Sequence, residues 1–220
     1  MMTEIKIGKV LVGIPYHPAK DYCLEQCFEA AKHLTYENKE VVLRFDPSEY
    51  GSENAVKRQR EFFRNLCLDN DFEWLYFMGV DTIPPAGVLE ELIGMAQYNS
   101  VKIIGGVYWG RHNASNGSPE GAVAWIHELS QEEQSAAFKQ PDRRLRVDGM
   151  GMDCVLIHRD VLRKISFLSW QQNDDDYPFY DKARELGFEI LIDTNVQCKH
   201  YFNEKSYTQL GVVVDKLSDN

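Results

Sequence analysis

Glu73–Pro85, EWLYFMGVDTIPP, is the stretch from which the fold can be read. Trp74–Met78 is an unbroken apolar and aromatic run, with polar residues before it and Gly79 after it. A run that short fits a strand buried on both faces. It gives way to an acid, Asp81, and Pro84–Pro85 forbids the strand to continue. A carboxylate therefore stands just past the carboxyl end of a central parallel strand, where open α/β sheets bind ligands. An Asp that only tips a turn before a helix is the plainer alternative.

The segments before this stretch alternate. Lys9–Ile14 reads as a strand ended by Pro15, with Tyr16-His17-Pro18 as a loop, and Asp21 to about His33 as an amphipathic helix. Val41–Phe45 is a second strand, closed by Asp46-Pro47-Ser48. Strand, helix and strand in under 50 residues is the mark of a βαβ unit, whose right-handed crossover puts both strands in one parallel sheet. Asn54–Asn70 is the next helix, with Lys57, Arg58, Arg60 and Arg64 giving it a basic character. Helix N-termini attract anions and Arg adds bidentate phosphate donors, although four basic residues on a helix are commonly a solvated face. After Trp74–Met78 come a helix from Ala86 to about Tyr98 and a strand, Val101–Tyr108, in which Gly105–Gly106 permits close backbone approach.

From Trp109 the pattern changes. Arg111–Pro119 reads as a loop, Ala122–Ile126 as a brief strand, and Ser130–Arg146 as a short helix with a mobile segment. Met152–His158 is a strand, Arg159–Lys164 a short helix, and three acids, Asp174–Asp176, lead into a helix through Gly187. Phe188–Asp193 is another strand and Val196–Tyr201 a last extended segment. The order describes one domain over 1–220: a Rossmann-like nucleotide-binding half to about 108, and a mixed-sheet half from about 109 that completes one pocket. No GxGxxG, GxxxxGK[ST] or GxSxG occurs, which argues against dinucleotide, P-loop and hydrolase readings.

With 44 % hydrophobic residues and 12 % aromatics the chain has ample material for a packed core. A net charge of −10 disfavours nonspecific binding to nucleic acid or anionic membrane. Five scattered cysteines (23, 27, 67, 154, 198) complete no zinc spacing and read as buried free thiols in a reducing compartment. The start, MMTEIKIGKV, has no signal-peptide core, and no apolar run reaches spanning length, so the expectation is a cytoplasmic protein with no membrane span.

Four places carry candidate chemistry: Asp81, Asp174–Asp176, His200, and Arg58 with its basic neighbours. A carboxylate and an imidazole together suit a divalent cation, Mn²⁺ or Mg²⁺, which would bridge a diphosphate. Each residue also has a plainer reading. The Asp triplet can be an N-cap, and Lys199–His200 a surface pair. Trp109 and Trp170 can stack on a sugar ring or sit in the core.

Taken together and in order, these stretches resemble the GT-A nucleotide-sugar glycosyltransferases, in particular the small family-2-like enzymes of bacteria and phages. VLVGIPYH is similar to their opening strand and nucleotide loop, which implies donor contacts from Pro15, Tyr16 and His17. RFDPS and NAVKRQREFFRN imply Asp46 near the base and Arg58 at the diphosphate. FMGVDTIPP stands where the family has DxD, which implies Val80 and Asp81 at the donor. Gly79 replaces the first acid of that motif. VDGMGMDCVLIHRDVL resembles an acceptor-side segment with Gly149, Met150 and Gly151, and Trp109 and Trp170 join that side. DDDYPFYDKARELGFEILID is similar to the helix carrying the general base, which implies Asp176, with Asp175 next, and an inverting displacement. CKH matches the late His of the metal site, so Asp81 and His200 would hold Mn²⁺ or Mg²⁺. The resemblance implies the GT-A fold and transfer of a sugar from a nucleotide-sugar, a UDP-sugar first, to an acceptor glycan, protein or nucleic acid. The rival expectations are a non-catalytic nucleotide-sugar or glycan-binding module, and a sugar nucleotidyltransferase. IPYHPAK lacks the glycine run expected of the latter.

Overall fold

The computed structural model describes residues 8–45, 47, 55–110, 122–169, 176–210 and 212–215. In chain order the elements are β1 (Val10–Pro15), α1 (Leu24–His33), β2 (Lys39–Arg44), α2 (Ala55–Asp69), β3 (Trp74–Met78), β4 (Thr82–Ile83), α3 (Val88–Asn99) and β5 (Ile103–Val107). There follow β6 (Ala124–Trp125), α4 (Gln131–Lys139), β7 (Arg144–Arg146), β8 (Gly149–Met150), β9 (Cys154–His158) and α5 (Arg159–Leu162). The last are α6 (Asp176–Glu185), β10 (Ile190–Gln197), β11 (Lys199–Tyr201), β12 (Ser206–Gln209) and β13 (Val212–Asp215).

The central sheet has seven strands in the order β2-β1-β3-β9-β5-β10-β7. β1 pairs parallel with both β2 and β3, and β5 parallel with β10. β9 runs antiparallel between β3 and β5, and β7 closes one edge antiparallel to β10. Strands from both halves of the chain thus share one mixed sheet, with helices on both faces. A four-stranded sheet, β13-β12-β11-β4, stands beside it.

The apolar runs explain the layering. Side chains alternate across a strand. Trp74, Tyr76 and Met78 face one core with α1 and α3, while Leu75 and Phe77 face the other with α2, α5 and α6. All five residues of β3 are buried, as a two-sided strand requires. Gly105 and Gly106 do permit close approach: a Cβ on Gly106 would lie 2.3 Å from Cγ1 of Val196, and one on Gly105 2.5 Å from the carbonyl oxygen of Cys154.

Several elements depart from the sequence expectation. Thr82–Ile83, given no element in that reading, pairs with β11 in a short strand that ends before the prolines. The hairpin β12–β13 has no counterpart in that reading. Ser130–Arg146 holds the expected short helix, α4, and in place of a mobile segment adds a strand to the central sheet. Ser130 and Glu133 form a reciprocal capping box, Phe138 is buried, and Arg144–Arg146 joins the central sheet. The charged side chains of Arg144 and Arg146 suit a sheet edge. All five cysteines are free and buried, as expected. Among the described residues no helix is long and apolar enough to cross a membrane.

Candidate functional site

The carboxyl ends of β1, β3 and β5 and the start of β9 lie on one edge of the central sheet, which follows from their register. The turn after β3 puts Asp81 there: the Thr82 N–H donates to the Gly79 carbonyl at 3.1 Å. Asp81 is fully buried, and Lys20 Nζ, from the 3-10 turn Pro18–Cys23, donates to its Oδ1 at 2.7 Å. β11 brings His200 opposite Thr82 in an antiparallel rung, and the Tyr201 N–H donates to the Asp81 carbonyl at 2.7 Å. His200 Nε2 stands 3.6 Å from Asp81 Oδ2.

His200 Nδ1 lies 2.7 Å from the Trp109 carbonyl oxygen, which also accepts from Thr208 Oγ1 at 3.0 Å. A carbonyl can only accept, so Nδ1 carries the proton and Nε2 faces the carboxylate. At 3.6 Å that is too far for a hydrogen bond. It is close to the roughly 3 Å that separates two neighbouring ligands on a Mg²⁺-sized ion, and the Nδ1–H contact is the usual orienting bond of a metal-binding imidazole. The pair therefore fits a divalent cation. Among the described residues no three His, Cys, Asp or Glu groups enclose one by themselves, so phosphate and water would complete the shell.

Tyr108 extends the site toward the second half. Its ring meets the His200 ring edge-on, with centroids 5.4 Å apart. Its hydroxyl lies where a side chain on Gly151 would be: a Cβ there would be 1.7 Å from the oxygen. Burial first, then the nearby charges of Asp153 and Asp176, keep this phenol protonated far above the ordinary range. Asp176 opens α6 and accepts from Arg60 Nη1 at 2.6 Å. Arg60 is buried although it sits on α2, in the other half of the chain.

The sequence-predicted residues divide. Asp81 and His200 come together, and Asp176 lies on the same side through Tyr108. Asp46, Asp175 and Trp170 lie outside the described residues. Arg58 is exposed, and Arg60 replaces it as the inward arginine of α2. Two residues along a helix are about 200° of rotation, so both cannot face the sheet. Val80 packs its side chain into the core and offers only backbone. Trp109 is a core aromatic and not an exposed platform: it is 1 % exposed, and its indole N–H donates to Gln197. Gly149 and Met150 are buried. A Cβ on Gly149 would strike the Trp125 ring, so that glycine serves packing.

In the first loop, Pro15 ends β1 and His17 caps the following turn through its Nδ1, which accepts from the Ala19 N–H. The Tyr16 phenol donates to Asp21, which pushes it up to about 12, and the Tyr16 carbonyl accepts from Gln59 of α2. Sequence reasoning missed Lys20, Tyr108 and Asp153, and named Arg60 only as a basic neighbour of Arg58. For Arg60 a signal existed: Arg60, Phe63, Arg64 and Cys67 share the helical period of the buried face.

No family model matches the chain, and no curated protein matches it. Among solved structures it is similar to the crystal structure of A197 from STIV, at 15 % identity and a TM-score of 0.66, over 96 % of this chain and 95 % of that one. At that identity the likeness speaks for the mixed α/β fold alone.

Proposed function

We propose that the chain is a glycosyltransferase of the GT-A type that moves a sugar from a nucleotide-sugar, a UDP-sugar first, to an acceptor hydroxyl. The observation that carries this reading is the meeting of Asp81 and His200, from opposite halves of the chain, at the carboxyl edge of β3. The Pro15–His17 loop and the N-terminal half of α2, linked by Gln59, would form one wall for the nucleotide. Lys20 places an ammonium beside Asp81, where the charge of a leaving diphosphate would develop. Asp81 and His200 would hold Mn²⁺ or Mg²⁺, which when bound neutralises that charge. Asp176 takes the proton of the acceptor hydroxyl, and Arg60 fixes its carboxylate in place. Attack from the face opposite the diphosphate makes the reaction inverting.

A second reading has its own support. Arg60 already engages Asp176 at 2.6 Å, and a carboxylate kept for that partner suits a non-catalytic nucleotide-sugar or glycan-binding module. Release of nucleoside diphosphate from UDP-sugars, with Mn²⁺ present, separates the two. A transferase turns the donor over, and Asp81→Asn lowers kcat by about a hundredfold or more. Binding of a donor with no turnover would favour the module, and unchanged turnover in Asp81→Asn would sink the role given to that acid.

A further inference from the structure

Gly79 leaves a place that another residue fills. β3 and β9 pair antiparallel with Met78 opposite Cys154, and the next rung sets Gly79 against Asp153, with the Gly79 N–H donating to the Asp153 carbonyl at 2.9 Å. A Cβ on Gly79 would lie 2.6 Å from Cγ of Asp153 and 3.0 Å from its Oδ1. The Asp153 carboxylate therefore occupies the space that a side chain at position 79 would take. It sits at the mouth of the turn whose third residue is Asp81.

Two further observations tie Asp153 to that site. The Tyr108 hydroxyl lies against Gly151, two residues before Asp153, and its ring packs on His200. Thr82, directly opposite His200 and so on the same face of the small sheet, is fully buried, and its Oγ1 has no hydrogen-bond partner among the described residues. A buried hydroxyl left unpaired is costly, and a hydrated ion beside His200 would satisfy it. Asp153 itself is half-buried and so within reach of water.

We infer that Asp153 belongs to the Asp81–His200 cation site and acts on a divalent ion through the ion's water shell, in the place left by Gly79. The inference rests on the proposed reading of that site. Asp81 and His200 touch the ion, and Asp153 orients the water between, which agrees with the lack of three converging ligands among the described residues. Groups that orient a metal's ligands or water are worth about 10- to 100-fold in affinity.

The test is Mn²⁺ alone, titrated into the full chain and followed by electron paramagnetic resonance of the free ion. Asp153→Asn, nearly isosteric, is expected to weaken binding by about 10- to 100-fold, and Asp81→Asn by more. The exchange Gly79→Asp with Asp153→Gly moves the carboxylate back across the rung and removes the atoms it would strike. Gly79 is not among the described residues with positive φ, so Asp is allowed there. The exchange is expected to bind within about threefold of the unaltered chain, inside the loss that marks such a group. Binding that survives Asp153→Asn but not Asp81→Asn overturns this inference and leaves the site reading standing. An exchange variant that folds and stays as weak as Asp153→Asn also overturns it. No Mn²⁺ binding by the unaltered chain, with or without UDP, would bring down the site reading itself.

Discussion

The two halves of the chain meet in one sheet but are assembled differently. In the first half, β1, β2 and β3 are neighbours joined by local crossovers through α1 and α2. In the second, β9 inserts between β3 and β5, β10 returns to the far side of β5, and β11 pairs with the two-residue β4. The first half makes a sheet from neighbours in sequence, and the second completes it from a distance. The candidate site lies on the seam, with Asp81 and Arg60 from one side and His200, Asp153 and Asp176 from the other.

If the weakly patterned part of the second half is as firmly built as the first, its core residues should behave alike. Phe138 of α4 is buried, and its carbonyl accepts from Gln197. Phe138→Ala should lower the unfolding free energy by about 3–5 kcal/mol in urea titration. A loss under about 1 kcal/mol would mean that α4 is only loosely attached.

The seam can be broken at the Arg60–Asp176 pair. Its side chains are 8 % and 26 % exposed, so removing one partner leaves a poorly solvated charge. Arg60→Ala should cost about 3 kcal/mol, against less than about 1 kcal/mol for breaking the exposed Lys9–Glu40 pair with Lys9→Ala. Equal effects would show that Arg60 and Asp176 contribute no more than a surface pair.

These contrasts also show what the sequence could reveal. Apolar runs buried on both faces announce β1, β3, β5 and β9, because such strands need no alternation. β4 and the β12–β13 hairpin are short and take their form from partners far along the chain, so no local period marks them. Asp81 and His200 were legible as an acid and an imidazole at strand ends, whereas Asp153 was not. Its place depends on which strand lies beside β3, and that is settled only by the insertion of β9. Arg58 and Arg60 differ only in helical phase, which the neighbouring Phe63 and Cys67 fix.

Smaller effects sharpen the comparison. Ser130→Ala removes the hydroxyl that caps α4 and should cost about 1 kcal/mol, while Ser130→Asp should restore most of it. Glu91 of α3 faces Asp193 of β10 across the halves. Partial desolvation first, then the Asp193 charge, raise the Glu91 pKa above 4.5. The folded chain therefore holds this proton more tightly than the unfolded one. The resulting stability is full below pH 4.5 and fades as pH rises through the raised value. Glu91→Gln should remove that slope and melt higher than the unaltered chain at pH 7. An unchanged profile of Tm against pH would mean that the Asp193 charge does not act on Glu91.

The most direct test of the site is thermal melting with UDP, GDP, CDP and dTDP, each with and without Mn²⁺. A ligand at a hundred times its Kd should add about 2.7 kcal/mol, a rise of a few degrees for a chain of this size. The expected result is a rise with one nucleotide that needs the metal and is lost in His200→Ala. No rise with any of the four, or one that His200→Ala leaves intact, would contradict it.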